Sequence, residues 1–268
     1  MSSAFQAALL GVVQGVTEFL PVSSTAHLLI ASRLLGFKDP GGVFTVMIQL
    51  GSIFAVVWIY RAKLMDVVIG LPSRPEARRF AVMLLVAVLP ALVAGALLSG
   101  FVTRVLYDAL AVSGVTFVLG GIAILLIERF RPAPTVHDVD RTPIGKALGI
   151  GVCQALAIVP GVSRSGATIM GGLSLALDRP VATEFSFFMA IPTLTAAFAN
   201  SLWKVRHNIT GAQASEIAIG FVMAFVSSVL VVKPFLAYVR RSGFQSFAWY
   251  RIVAGLGLLA ALAAGWGR

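Results

Sequence analysis

Acidic side chains are scarce in this sequence. Eleven Asp and Glu stand against 21 Lys and Arg in 268 residues, and charged residues make up only 12% of the chain. Soluble domains carry about 25% charged residues. With 58% hydrophobic residues and a mean hydropathy of +0.93, water is excluded as the main solvent. Cysteine is nearly absent. The lone Cys153 builds neither an internal disulfide nor a thiolate metal site, and packing is its expected role. No Lys or Arg precedes the first apolar segment and the first basic residue is Arg33, which argues against a cleaved secretory leader.

What the chain does have is long apolar runs. Stretches free of charge cover 40–60, 80–103, 109–127, 185–203, 217–232 and 252–267, each near the ~20 residues that span a bilayer as a helix. The expected fold is all-α and integral to the membrane, one transmembrane domain over 1–268 with about six spanning helices. The formal charge of +10 does not point to nucleic acid, because the basic residues form no aromatic-interleaved stripe. They crowd alternate loops: Arg61, Lys63, Arg74, Arg78 and Arg79 in one, Arg129, Arg131, Arg141 and Lys146 in the next, Lys233, Arg240 and Arg241 in a third. The positive-inside rule puts these three loops in the cytoplasm. Arg104, Lys204 and Arg206 then lie on the opposite face, with both termini. Trp58, Trp203, Trp249 and Trp266 read as interface-belt residues.

Two segments break the pattern. The apolar stretch 4–20 stops at Pro21-Val22-Ser23-Ser24-Thr25 and resumes through Leu34 and Leu35. Seventeen residues at ~1.5 Å each reach only ~25 Å, and proline disfavours helix continuity just where hydroxyl residues gather. The same design recurs at 144–177, interrupted by Pro160-Gly161-Val162-Ser163-Arg164-Ser165-Gly166. Each is expected to enter and leave on one side as a re-entrant helix, break and helix. The two also match in sequence: Gly11-Val12-Val13-Gln14 with Gly151-Val152-Cys153-Gln154, Pro21-Val22-Ser23-Ser24 with Pro160-Gly161-Val162-Ser163, and Phe44-Thr45-Val46-Met47 with Phe185-Ser186-Phe187-Phe188. Three spans follow each break, so the repeats, about 1–130 and 144–268, are expected to be inverted, their breaks meeting near the midplane around a buried ligand.

The scarce polar residues gather at those breaks. Glu18 alone among the acids lies inside an apolar run; the same filter leaves His27 among the histidines and mainly Arg164 among the arginines. An ionisable group at membrane depth costs several kcal/mol unless partnered, so these three are candidates for function, with Glu18 and Arg164 also able to form a plain structural ion pair. Gln14 and Glu18 share one helix face, Ser24 and His27 another. Arg164, Ser163, Ser165 and Thr168, with Gly161 and Gly166 for close backbone approach, suit phosphate oxygens. Glu184, placed at the start of a spanning helix, is left outside the site.

Gln14-Gly15-Val16-Thr17-Glu18, running on through Pro21-Val22-Ser23-Ser24-Thr25-Ala26-His27, and Pro160-Gly161-Val162-Ser163-Arg164-Ser165-Gly166-Ala167-Thr168 resemble the two motifs of the undecaprenyl-diphosphatase family of bacterial membranes, the bacitracin-resistance phosphatases. That resemblance implies conversion of undecaprenyl pyrophosphate to the monophosphate carrier of peptidoglycan synthesis in the bacterial plasma membrane. It also implies a site opening to the periplasm, a divalent cation (Mg²⁺ or Ca²⁺) and a homodimer. Expected catalytic residues are Glu18, Ser24, His27 and Arg164; expected phosphate ligands are Ser23, Thr25, Gly161, Ser163, Ser165 and Thr168; Gln14 and Glu18 are the expected cation ligands. Gln14 stands where many resembling proteins carry Glu, and its amide can ligate but cannot act as a base. Ser24 activated by His27, His27 itself, or a water are the open choices of nucleophile. The architecture alone also suits a transporter of polyprenyl phosphate or a small anion.

Overall fold

The computed structural model describes residues 2–39, 42–105, 110–205 and 211–266. Eleven α-helices order them: α1 Ser3–Thr17, α2 Ser24–Leu35, α3 Val43–Ile59, α4 Arg61–Gly70, α5 Pro75–Val105, α6 Leu110–Phe130, α7 Ile144–Ala155, α8 Arg164–Ser174, α9 Arg179–Val205, α10 Gly211–Ser242 and α11 Gln245–Ala263. Arg104 and Lys204 fall in the last turns of α5 and α9, while Asp108, Arg206 and His207 lie outside the described residues.

Helix ends follow local chemistry. The Asp39 carboxylate accepts from the backbone N–H of Phe44 (2.8 Å) and Thr45 (2.9 Å) at the start of α3, and Asp178 accepts from Val181 N–H (2.9 Å) at the start of α9. These two loop acids are therefore N-terminal caps. Pro75 opens α5 where its missing N–H is harmless, and Gly36 and Gly243, both at φ 67°, close α2 and α10 in the left-handed conformation.

Among the described residues five helices, within α5, α6, α9, α10 and α11, are long and apolar enough to cross a bilayer. The sixth expected span, 40–60, is α3, which at 17 residues is short and turns by 76° into α4; together the two pass as one crossing. Tyr60 stands at the turn, its hydroxyl donating to Glu184 Oε1 (3.1 Å), and Arg61 begins the charged segment.

The basic loops come together at one end of the molecule. Lys63 Nζ pairs with Asp140 (2.6 Å), and Arg79 reaches the Arg141 carbonyl (3.4 Å). Arg179 grips the buried Glu128 carboxylate through Nε (3.1 Å) and Nη2 (2.6 Å), and the same carboxylate accepts Phe244 N–H (3.0 Å). The interior is a phenylalanine cluster around Phe19, Phe80, Phe185, Phe187, Phe188 and Phe244, all buried.

Both expected hairpins are present. α1 and α2 flank the first break; α7, one 3₁₀ turn at Leu156–Ile158, and α8 flank the second. α1 packs on α10 and α7 on α5. Glycine permits this closeness. A Cβ on Gly15 would stand 2.1 Å from Ser227 Oγ and 2.4 Å from the Ala224 carbonyl, and one on Gly151 2.1 Å from the Ala87 carbonyl. Gly15→Ala is therefore expected to push α1 off α10 and lose about 1–3 kcal/mol of stability. Gly145→Ala, with nothing within 4 Å of the new methyl, should be neutral or gain up to about 1 kcal/mol from helix propensity. Thermal melts in detergent compare them; equal melting temperatures would refute the close-packing argument.

The register between the breaks differs by one residue from the sequence match of Pro21 with Pro160. Ser23 (φ 67°) and Ser163 (φ 71°), both left-handed, each stand immediately before a returning helix. They lie 140 positions apart, as do Gly11 and Gly151, and Gln14 and Gln154, so Pro21 matches Gly161. The proline identity misled because either position before the turn tolerates it.

Candidate active site

The breaks face each other. Ser24 is the first residue of α2 and Arg164 the first of α8, so two helix N-termini with their positive dipole ends converge on one place. α2 has no side-chain cap, whereas in α8 the Ser163 hydroxyl accepts the Gly166 N–H (3.0 Å) and bonds Ser165 Oγ (3.1 Å). Glu18, just past the end of α1, joins them. Its Oε2 accepts Ser24 Oγ–H at 2.6 Å and Gln14 Nε2–H at 2.7 Å, and its Oε1 accepts Arg164 Nη2–H at 3.2 Å. A carboxylate, a hydroxyl and a guanidinium from the two hairpins thus make one connected cluster. Glu18 is 6% exposed and Ser24 8% exposed, so each retains only a narrow face toward the cavity.

That cavity, about 310 Å³, is lined by Glu18, Ser23, Ser24, Thr25, Gly161, Ser163 and Arg164, with Gln49 of α3, Gln154 of α7 and Thr193 of α9 completing the polar wall. Arg164 is aimed by its other nitrogens' surroundings: Nη1 donates to the Ser186 carbonyl (3.0 Å), while Nε is buried without a partner.

Of the expected phosphate ligands, Ser23, Thr25, Gly161 and Ser163 line the cavity and Ser165 and Thr168 stand behind it. Their hydroxyls are spent on protein. Ser165 Oγ donates across the breaks to the Leu20 carbonyl (2.7 Å), and Thr168 Oγ bonds to Ser186 Oγ (2.7 Å) and the Arg164 carbonyl (2.9 Å). They therefore brace Arg164 and the tip from the rear.

His27 is not joined to Ser24. Its Nδ1–H donates to the Ser23 carbonyl (2.8 Å), and its Nε2 shares a hydrogen bond with Tyr250 Oη (2.5 Å). The ring stacks on Tyr250 with centroids 5.7 Å apart and lies outside the cavity lining. The sequence spacing put both side chains on one face, but the first residue of a helix leans back past its own N-terminus, and there Ser24 meets Glu18.

A divalent cation has a partial fit. Among the described residues no three His, Cys, Asp or Glu side chains cluster, so a closed cage of such ligands is absent. Two hard oxygen donors belong to neighbouring side chains. The Glu18 carboxylate lines the cavity. Gln14 Oε1 is buried without a hydrogen-bond partner, while its amide Nε2 faces Glu18 and Gln14 itself stays behind the cavity wall. One carboxylate, one carbonyl and the oxygens of a phosphate substrate make up the mixed set that Mg²⁺ accepts.

Sequence reading missed Arg251. It sits seven positions into α11, is 1% exposed, and its guanidinium ends on carbonyls of both breaks, Pro21 (3.0 Å), Gly161 (2.9 Å) and Val162 (3.2 Å), as well as Thr116 (2.9 Å) and Phe117 (3.4 Å) of α6. The charge-free run began at 252, one residue too late to show it. The available signal was Gly243, whose helix-ending geometry starts α11 at Gln245 and so places Arg251 nearly two turns inside.

The model of the family described as bacitracin resistance protein BacA matches residues 7–257. Proteins named undecaprenyl-diphosphatase align over almost their whole length: one from Cereibacter sphaeroides is 47% identical over 98% of both chains, and one from Paracoccus denitrificans 44% identical over 97% of both. One from Agrobacterium fabrum, named undecaprenyl-diphosphatase 1, is 46% identical over 98% of both. The matched region takes in both hairpins and Arg251, and with these identities along the full chain the protein belongs to the bacitracin resistance protein BacA family.

Proposed function

We propose that this protein is a membrane phosphatase that removes the terminal phosphate of undecaprenyl pyrophosphate and returns the monophosphate lipid carrier to cell-wall synthesis. Family membership and the names of its full-length relatives support the substrate. The observation that carries the chemistry is the Ser24 hydroxyl, donated at 2.6 Å to a carboxylate whose other oxygen rests on Arg164. A hydroxyl aimed at a base beside a cation is an activated nucleophile with an electrostatic partner for phosphoryl oxygens.

In this reading the isoprenoid tail stays among lipid and the pyrophosphate enters the cavity between the breaks. Arg164, the N-termini of α2 and α8, Ser23, Thr25, Gly161 and Ser163 orient the terminal phosphoryl group. Ser24 Oγ attacks phosphorus and its proton passes to Glu18. The bond from phosphorus to the bridging oxygen breaks, and its electron pair leaves with the lipid monophosphate. Glu18 passes that proton to the departing lipid monophosphate and is a carboxylate again. Water then attacks the phosphoserine and gives a proton to Glu18, the bond from phosphorus to Oγ breaks, and phosphate departs as Glu18 returns the proton to Ser24 Oγ. Glu18 and Gln14 would hold Mg²⁺ or Ca²⁺, which when bound neutralises charge on pyrophosphate oxygens. His27 serves this site by fixing the first turn of α2 against Tyr250.

The halves, about 1–130 and 144–268, are taken as inverted repeats, supported by the 140-residue offset within the hairpins and by each hairpin leaning on the second long helix of the other half. The clustered basic loops support a cytoplasmic end, with both termini and the cavity on the periplasmic side. Val46, one turn inside the far end of α3, and Thr193 and Leu194, in the far half of α9, line that cavity. A homodimer is the expected state in detergent, readable by light scattering.

Phosphate release from undecaprenyl pyrophosphate by purified protein in detergent tests the function, since no gradient exists there; flux across vesicles without such release would favour a transporter. Gln14 supplies a second test. Gln14→Leu should weaken the apparent cation affinity about 10–100-fold, and Gln14→Glu, adding a carboxylate, should strengthen it. Titration of activity with Mg²⁺ after chelation measures both, and identical curves for the three proteins would remove Gln14 from the cation site.

A further inference from the structure

We propose that Arg251 is a positioning residue for phosphoryl transfer: its guanidinium holds the two breaks in the mutual register that sets Ser24 opposite Arg164. The proposal rests on the roles given above to Ser24 and Arg164. Arg251 does not line the cavity. Among the described residues its five hydrogen bonds all end on backbone carbonyls, two in α6 and three in the breaks, and none on a carboxylate.

The choice of carbonyls is what gives it leverage. Pro21 and Gly161 are equivalent positions in the two hairpins, and each precedes by two residues a serine held at positive φ. A left-handed serine persists only where its surroundings over-determine it. One rigid plane of donors fixes the chain just before both strained turns, and the turns deliver Ser24 and Arg164 as the first residues of their helices. Lysine has three donors on one point and cannot span carbonyls from three segments.

Space for that plane is reserved by Gly120 of α6. A Cβ there would lie 2.1 Å from Arg251 Nη2 and 2.6 Å from its Cζ. Gly120→Ala thus leaves the arginine in the chain, favours the helix by propensity, and expels the guanidinium from its place.

The test compares wild type, Gly120→Ala, Arg251→Lys and the double variant as folded, monodisperse protein. Phosphate release from undecaprenyl pyrophosphate should show kcat per folded molecule lower by about 10–100-fold in both single variants, with KM within about threefold, because misplacement of the reacting groups acts on the chemical step. The double variant should be no slower than the worse single one. Amide exchange over 20–27 and 160–167 should quicken together in each, although these segments lie far apart in sequence, while α5 stays unchanged. Folded variants with wild-type kcat would overturn the proposal. So would loss of folded protein with unchanged kcat in the remainder, since Arg251 would then serve the fold alone. A wild type that releases no phosphate would sink the functional reading instead, and the exchange measurements would still report on the clasp.

Discussion

Ser24→Ala is expected to lower phosphate release by at least about 10³-fold while the protein purifies folded and monodisperse. The size follows from the loss of the attacking atom itself. Ser24 Oγ has one described hydrogen bond, to Glu18 Oε2, and the change removes that donor and no other heavy atom. Glu18 keeps Gln14 on the same oxygen and Arg164 on the other, so the buried carboxylate is not orphaned and folding is spared. Ser23→Ala makes the natural contrast: it lines the same cavity without touching Glu18, and its effect should be far smaller. Equal losses at the two serines would mean that the turn geometry, and not the Ser24 hydroxyl, is what activity requires.

The second large effect is expected at Arg164. Arg164→Lys should reduce turnover by about 10²–10³-fold, the scale found when one preorganised donor is removed from a transition state's charge. Lysine keeps the charge and loses the fork, and Arg164 uses the fork: Nη1 rests on the Ser186 carbonyl and Nη2 on Glu18, with Thr168 and Ser186 braced behind. A single ammonium cannot satisfy both and still face the cavity. Arg164→Ala is a poorer probe because it strands Glu18 without its cation, a loss on the order of 3–5 kcal/mol for a buried pair. Near-normal turnover in folded Arg164→Lys would show that the guanidinium is a strut and that phosphate is held elsewhere.

Much of this was legible from residue order because the membrane simplifies the reading. In lipid, an acid inside an apolar run is too costly to be casual, so Glu18 stood out. A proline alone is tolerated there, as Pro90 and Pro192 within α5 and α9 show. It was proline followed closely by hydroxyl residues, with glycine in the second case, that marked the Pro21 and Pro160–Gly166 breaks. Three things were not legible, each for a physical reason. Arg251 hid at the edge of an apolar run, where an interfacial arginine is ordinary and only three-dimensional burial reveals its partners. The pairing of Ser24 with Glu18 instead of His27 depended on a left-handed Ser23, a conformation that no propensity for serine announces. The corner after α3 falls where the charge-free run 40–60 ends, so residue order marked the end of that crossing but not the 76° angle at Tyr60.

The clustering of Ser165 and Thr168 with the phosphate-binding set shows the same limit. Hydroxyl spacing along a helix identifies a polar face without saying whether that face meets ligand or protein. Here the second motif divides its labour: Ser163 and Arg164 face the cavity, while Ser165 and Thr168 tie the tip to Leu20 and Ser186.

The most direct measurement is to follow a label in the terminal phosphate of undecaprenyl pyrophosphate during a rapid acid quench of the purified enzyme. Acid-stable label recovered on the peptide bearing Ser24, and absent from the Ser24→Ala protein, is the expected result. Acid-labile label on His27, or turnover that persists in Ser24→Ala, would contradict it.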